Sequence, residues 1–195
     1  MSDKPIIFSA PMVRALLDSR KSQTRRLLKP LPRRSIFFDP KTAGLGQFQE
    51  PPYAPGDRLY VREAFCPRLG YPAAIAKPHY RADDDKPEWR GLWKPSIHMP
   101  RWASRLTLTV TEVRVQRLQE ITGRDIISEG VRCEGCHNVG TGNYSACRDG
   151  GCFAGRNDFR DLWNSLHGPD AWDANPWICA LTFTVQHGNI DLVKS

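Results

Sequence analysis

Residues 106–115 read LTLTVTEVRV and carry the strongest strand signal in the chain. Leucine, valine and threonine dominate this run and apolar residues alternate with polar ones, which is typical of a strand that buries one face. Residues 177–185 (WICALTFTV) and residues 58–63 (RLYVRE) also predict strands. The order of these segments lacks the regular strand–helix alternation of a parallel sheet, so a mixed sheet is expected.

Helix signals lie between the strands. A short apolar strand at residues 6–8 is followed by Ser9, which can cap a helix that ends near Asp18. Residues 122–125 (TGRD) resemble a capping box that opens a second, short helix, and Gly130 ends it.

A further helix is predicted after Asn157, which is a suitable N-cap residue. Its apolar residues follow at i, i+3, i+4 and i+7: Phe159, Leu162, Trp163 and Leu166. Strands and helices together predict an α+β fold, a small sheet or β-barrel flanked by helices, in one domain over residues 1–195.

Three segments interrupt this pattern. Residues 28–57 hold six prolines and predict an irregular loop, and residues 67–104 form a Trp- and Pro-rich insertion. Residues 131–155 are rich in glycine and cysteine and predict a second insertion. Irregular segments of this length inside a domain are often functional.

Composition excludes several classes of protein. The 195 residues are 40% hydrophobic and 25% charged, values that exclude a largely disordered chain, a collagen-like repeat and a coiled-coil fibre. No apolar run approaches the roughly 20 residues that span a bilayer. The N-terminal residues MSDKP lack the features of a signal peptide, so a cytoplasmic protein without a membrane partner is expected.

Positive charge is concentrated in residues 14–34. Eight lysines and arginines lie there against Asp18 alone, an excess equal to the net charge of +7 on the whole chain. Such a field attracts polyanions, of which RNA is the expected one and DNA a further one. The alternative is a solvated basic face without a partner.

The sequence RKSQTRR, residues 20–26, is the densest set of reactive groups. Lys21 and Thr24 face one side if the backbone is helical or turn-like. A lysine among arginines loses its proton more readily and can then activate a hydroxyl, with a carboxylate from Glu63 or Glu129 as partner. The alternative is a phosphate-binding loop in which these side chains only donate hydrogen bonds.

Residues 93–102 (WKPSIHMPRW) alternate aromatic and basic side chains on a proline-stiffened segment. Such a segment can stack bases and contact phosphates, and His98 can titrate near neutral pH. The alternative is an ordinary loop that its tryptophans anchor to the core.

Four of the six cysteines follow the spacing C-x2-C-x10-C-x4-C, which favours a structural zinc site. The predicted ligands are Cys133, Cys136, Cys147 and Cys152. His137 can replace one sulfur, and disulfides or free thiols are the alternatives. Cys66 and Cys179 are expected to be isolated core residues.

The order of several motifs resembles the ASCH domain family. These are SRKSQTRR (19–26), PGDRLYVRE (55–63), LTLTVTEVRVQRLQEI (106–121), RDIISEGV (124–131) and WICALTFTV (177–185). The stretch WKPSIHMPRWASR (93–105) is similar to the longer bacterial and phage-associated branch of the family. The resemblance implies a PUA-like small β-barrel with a cleft for RNA or nucleotides.

Small bacterial members of this family deacetylate N4-acetylcytidine with a lysine, a threonine and a glutamate. Matched by position, these are Lys21, Thr24 and Glu129, while Ser19 replaces a glycine of the small enzymes. The resemblance implies RNA binding as the function, with deacylation of a modified nucleoside or weak ribonuclease action as alternatives. The residues expected to line the cleft are Arg20, Arg25, Arg26, Arg62, Glu63, His98, Arg101 and Trp102.

Overall fold

The computed structural model describes residues 3–29, 49–67, 77–83, 92–131 and 153–193. Within these ranges the strands are β1 (Asp3–Ile7), β2 (Gln23–Leu27), β3 (Arg58–Arg62), β4 (Phe65–Cys66), β5 (His79–Tyr80), β6 (Leu106–Arg117) and β7 (Trp177–His187). The helices are α1 (Ala10–Leu17), α2 (Gly123–Ser128) and α3 (Phe153–His167). The predicted α+β class is confirmed.

Five strands form one mixed sheet in the order β1-β3-β6-β7-β2, and β4 and β5 form a separate pair. β1 runs parallel to β3, whereas β3 pairs with β6, and β2 with β7, in antiparallel register. In the described residues β1 and β2 are the edges of this sheet and do not pair with each other. The sheet is therefore open, and the predicted small β-barrel is not confirmed.

The chain folds into two compact units, each built from separate segments. The described part of unit 1 comprises residues 3–22, 55–67, 77–83, 92–111 and 183–193. The described part of unit 2 comprises residues 23–29, 49–54, 112–131 and 153–182. No helix in the described ranges combines the length and the apolar composition that crossing a bilayer requires.

In unit 1, α1 begins after Ser9, as predicted, although the Ser9 hydroxyl makes no capping hydrogen bond. Ser19 follows the end of the helix, and its φ of 56° is in the left-handed region that favours glycine. The backbone N–H groups of Arg20 and Lys21 then both donate to the Ala15 carbonyl, at 2.9 and 3.0 Å. This turn sets the direction in which the chain leaves the helix at Lys21.

In unit 2, α2 begins with the predicted capping box. The Asp125 N–H donates to the Thr122 hydroxyl at 3.2 Å, and the Thr122 N–H donates to the Asp125 carboxylate at 3.1 Å. Gly130, with a φ of 82°, follows the helix, as its position in the sequence predicts.

Helix α3 differs from the sequence prediction in its start and in its buried face. It begins at Phe153, so Asn157 lies inside the helix and is not its cap. Phe159 and Trp163 are buried, but Leu166 is 59% exposed. The buried face of α3 is therefore narrower than the spacing of its apolar residues predicts. The core of unit 2 consists of Leu118, Ile121, Ile126, Phe159, Trp163, Trp172, Ile178 and Ala180.

Candidate functional site

Arg25 is held at the centre of a buried ion-pair group in unit 2. Its side chain is 1% exposed, and its Nη1 donates to Oε1 of Glu129 at 2.9 Å and to Oε1 of Gln23 at 2.7 Å. Its Nη2 lies 3.0 Å from Oδ2 of Asp125. The guanidinium thus joins β2 to the first turn of α2 through Asp125 and to its C-terminal end through Glu129.

Asp125 is bound on three sides, since Arg114 donates to its Oδ1 at 2.9 Å in addition to the contacts of Thr122 and Arg25. Burial acts to raise the pKa of Asp125, but these hydrogen bonds and charges outweigh it and lower the pKa to about 2. The carboxylate is therefore ionised throughout the neutral range.

We expect the stabilisation from Asp125 to be complete above about pH 4 and to be lost as the pH falls through about 2, because the native pKa lies below that of the unfolded chain. At pH 7 an Asp125→Asn variant should be less stable by about 1–2 kcal/mol. Urea unfolding of both proteins at pH 7, 4 and 2.5 tests this. A stability difference that did not shrink towards pH 2.5 would contradict it.

Thr24 and Lys21 are both buried, with 5% and 2% exposure. Residues 23–27 are extended, so the helical spacing that would turn Lys21 and Thr24 to one side is absent. Because side chains alternate along a strand, Thr24 lies on the opposite face of β2 from Arg25. The two units meet in sequence between Ser22 and Gln23, so Lys21 belongs to unit 1, where its Nζ is 5.7 Å from the ring centroid of Phe8.

A second buried carboxylate, Glu63, lies in unit 1 and is 1% exposed. Nε and Nη2 of Arg105 donate to its two oxygens at 2.9 and 3.1 Å, and Nη1 of Arg105 donates to Asp83 at 2.7 Å. Burial raises the pKa of Glu63, an effect that Arg105 only partly offsets. The predicted substrate-binding residue Glu63 is thus half of a structural ion pair.

The aromatic ring of Tyr80 supports this pair, because its centroid is 3.9 Å from the guanidinium carbon of Arg105. The Tyr80 hydroxyl donates to the Ala103 carbonyl at 2.9 Å, and burial raises the pKa of Tyr80 to about 12. Tyr80 therefore remains a hydrogen-bond donor at physiological pH and holds residue 103 in place.

Four side chains close together in sequence are exposed on unit 1, and we call them the aromatic–basic surface: Lys94, Ile97, His98 and Trp102. Ile97 is 58% exposed and Trp102 48% exposed, although both are large and apolar. Arg62 donates to the Ile97 carbonyl and so fixes the turn that carries Ile97 and His98. Beneath them Met99 and Ala103 pack against Phe65 in a small core.

The predicted basic residues have very different surroundings. Arg101 is paired with Asp191 at 2.6 Å and also with Asp3, while Arg20 is paired with Asp18 at 2.8 Å. Burial lowers the pKa of Arg26 more than its other neighbours raise it. The basic run is therefore not a continuous solvated face in the described residues. The rest of the run, from residue 30 onward, lies outside the described ranges.

The four predicted zinc ligands also lie outside the described residues. Within the described ranges, no group of three or more His, Cys, Asp or Glu side chains is arranged to hold a metal ion. Cys66 and Cys179 are free and buried, which confirms that they are core residues. Burial raises the pKa of the Cys179 thiol to about 11, so it is an unreactive thiol.

We expect the purified protein to carry about one Zn²⁺ per chain, since four thiolates complete a tetrahedral site. Replacing Cys133 and Cys147 with serine removes one ligand from each pair and should abolish metal retention. The matched control is Cys66→Ser, which should retain the metal. Elemental analysis after dialysis provides the measurement, and equal zinc in all three proteins would contradict the prediction.

Several residues of these groups have no clear signal in the sequence. The sequence identifies Asp125 only as part of a helix cap, and it does not identify Arg105, Tyr80 and Asp83 as partners of Glu63. Their roles depend on contacts between segments far apart in the chain. No family model, no curated protein and no solved structure matches this chain.

Proposed function

We propose that this protein binds single-stranded RNA through the aromatic–basic surface. The observation that carries the proposal is the 48% exposure of Trp102. Its turn is held in place by the hydrogen bond from the Tyr80 hydroxyl to the Ala103 carbonyl. An exposed indole on a fixed backbone is a stacking surface for an unpaired base. Lys94 and His98 are exposed in the same short segment and can contact the phosphates on either side of that base.

Between residues 92 and 102, three large apolar side chains are exposed: Leu92 (79%), Ile97 (58%) and Trp102 (48%). Scattered exposed apolar residues are ordinary, but three in one short segment suggest a contact surface. Their basic neighbours favour a polyanion as the partner. The resemblance of the sequence motifs to ASCH domains supports the same class of ligand.

The test is fluorescence anisotropy with a labelled eight-nucleotide oligouridine at increasing salt. Because Arg20, Arg101 and Arg105 are already paired with carboxylates, few phosphates should be neutralised. We expect a slope of log K against log salt of about −0.7 to −1.4, corresponding to one or two contacts. No binding at low salt would overturn the proposal. A slope several times steeper would assign binding to other basic residues.

A second candidate function is deacylation of an N4-acylated cytidine. It is favoured by the burial of the three residues that the ASCH resemblance implies, since Lys21, Thr24 and Glu129 are only 2%, 5% and 5% exposed. Buried polar side chains of this kind concentrate at functional sites. The resemblance assigns the roles of this reaction: base to Lys21, nucleophile to Thr24 and orienting carboxylate to Glu129.

Incubation with N4-acetylcytidine should release cytidine if this candidate is correct. Lys21→Ala should then lower kcat/KM by at least about 100-fold, the usual contribution of a general base. Lys77→Ala, which removes an exposed lysine outside the aromatic–basic surface, is the control and should retain full turnover. Absence of turnover, or equal turnover in both variants, would reject deacylation. If the wild type cleaved the oligouridine but did not deacetylate N4-acetylcytidine, ribonuclease action would be favoured instead.

A further inference from the structure

The backbone that carries Trp102 is held by one side chain from the C-terminal turn of the described chain. Nδ2 of Asn189 donates to the carbonyls of Arg101, Trp102 and Ser104, at 2.8, 3.2 and 2.9 Å. These carbonyls belong to the 3-10 turn Arg101–Ala103 and to the residue that follows it, and the Arg101 carbonyl also accepts the Ser104 N–H at 3.1 Å. Asn189 therefore caps the turn.

The orientation of the Asn189 amide is determined by its surroundings. Its Oδ1 accepts the Asp191 N–H at 3.0 Å, so the opposite orientation would set an oxygen against three carbonyls. The Asn189 amide has two N–H bonds and three acceptor carbonyls, so one of its hydrogens is shared between two carbonyls. An amide is the group that this position needs, and a carboxylate of the same shape is incompatible with it.

The C-terminal turn that contains Asn189 is also held to the Trp102 segment by a salt bridge. Nε of Arg101 donates to both oxygens of Asp191, at 3.0 and 3.1 Å. Arg58 also donates to the carbonyls of Ile190 and Val193. Arg58 thus holds the backbone of the C-terminal turn, and Arg101, the residue before Trp102, holds its Asp191 side chain.

From these contacts we infer that Asn189 is a positioning residue for nucleic-acid binding, because it holds Trp102 in the orientation that stacks on a base. This inference rests on the proposed function. A base gains more net binding energy from an indole that is already fixed, because binding then does not have to order the turn as well.

Two variants test the inference, Asn189→Asp and Asn189→Ala, with Leu192→Ala as the control from the same turn. Leu192 is 82% exposed, and its loss should change nothing. Both Asn189 variants should weaken oligouridine binding by about threefold to tenfold, approaching the loss caused by Trp102→Ala. The salt slope should stay unchanged, because the phosphate contacts remain.

A double-mutant cycle separates positioning from general destabilisation. In a Trp102→Ala background, Asn189→Ala should cause no further loss of affinity, because there is no indole left to position and the variant adds no charge that would repel the phosphates. A loss that persists in that background overturns the inference. Unchanged affinity in both Asn189 variants, with a loss in Trp102→Ala, overturns it as well.

A second readout does not depend on RNA. With 5-fluorotryptophan incorporated, the ¹⁹F resonance that disappears in Trp102→Phe is that of Trp102. Both Asn189 variants should shift or broaden this resonance, while Leu192→Ala leaves it unchanged. If the resonance moves but no variant binds RNA, the proposed function fails and the positioning role stands. An unmoved resonance rejects the positioning role.

Discussion

Replacing Trp102 with alanine is expected to weaken binding of single-stranded RNA by about 5- to 150-fold, because stacking of one base on an aromatic side chain contributes about 1–3 kcal/mol. The Trp102 side chain is half exposed, so its loss should not unfold the protein. Equilibrium binding of oligouridine at constant salt measures the effect.

Trp102→Phe and Leu166→Ala are the controls for this prediction. Phenylalanine retains a stacking face and should bind within about threefold of the wild type. Leu166, on α3 of unit 2, is 59% exposed and apolar, and its replacement should leave binding unchanged. Equal weakening by Trp102→Ala and Leu166→Ala would mean that exposed apolar area, and not stacking, determines the affinity.

The largest expected effect on stability belongs to Arg25→Ala. The substitution leaves Glu129 and Asp125 buried without their shared cation, and breaking a buried pair from one side costs about 3–5 kcal/mol. For a chain of 195 residues this corresponds to a Tm lower by roughly 10 °C. Calorimetry or urea unfolding provides the measurement.

Arg20→Ala is the matched control, because Arg20 lies in the same basic run and its carboxylate partner, Asp18, is exposed. An exposed pair contributes about 0–1 kcal/mol. Adding Glu129→Gln to Arg25→Ala should recover part of the loss, because it removes a buried charge that has lost its ion pair with Arg25. A loss below about 1 kcal/mol for Arg25→Ala would show that water reaches both carboxylates, contrary to the 1% exposure of the arginine side chain.

Local signals were sufficient for the elements that depend on neighbours in sequence. β6 and β7 follow from alternation, and the capping box of α2 follows from Thr122 and Asp125, because each requires contacts within a few residues. The predicted start of α3 was wrong, since a good N-cap residue such as Asn157 is also tolerated inside a helix. The α+β class could thus be predicted, but not whether the sheet closes into a barrel.

The assignment of the charged residues required the tertiary structure. Arg20, Arg25 and Arg101 look alike in the sequence as members of basic segments. In the folded chain Arg25 is buried between two carboxylates, whereas Arg20 and Arg101 form surface pairs. The partners lie up to 104 residues away, and no local pattern encodes such distances.

Short stretches of the chain were enough to specify β3, β6 and β7, the capping box of α2 and an aromatic, basic segment at residues 93–102, because hydrophobic periodicity and capping are local properties, whereas β2, β4 and β5 carried no such signal. The folded chain was needed to show which charges are neutralised and that Trp102 is exposed on a turn capped by Asn189. Burial and pairing depend on which distant segments meet, and that is a property of the packed chain as a whole.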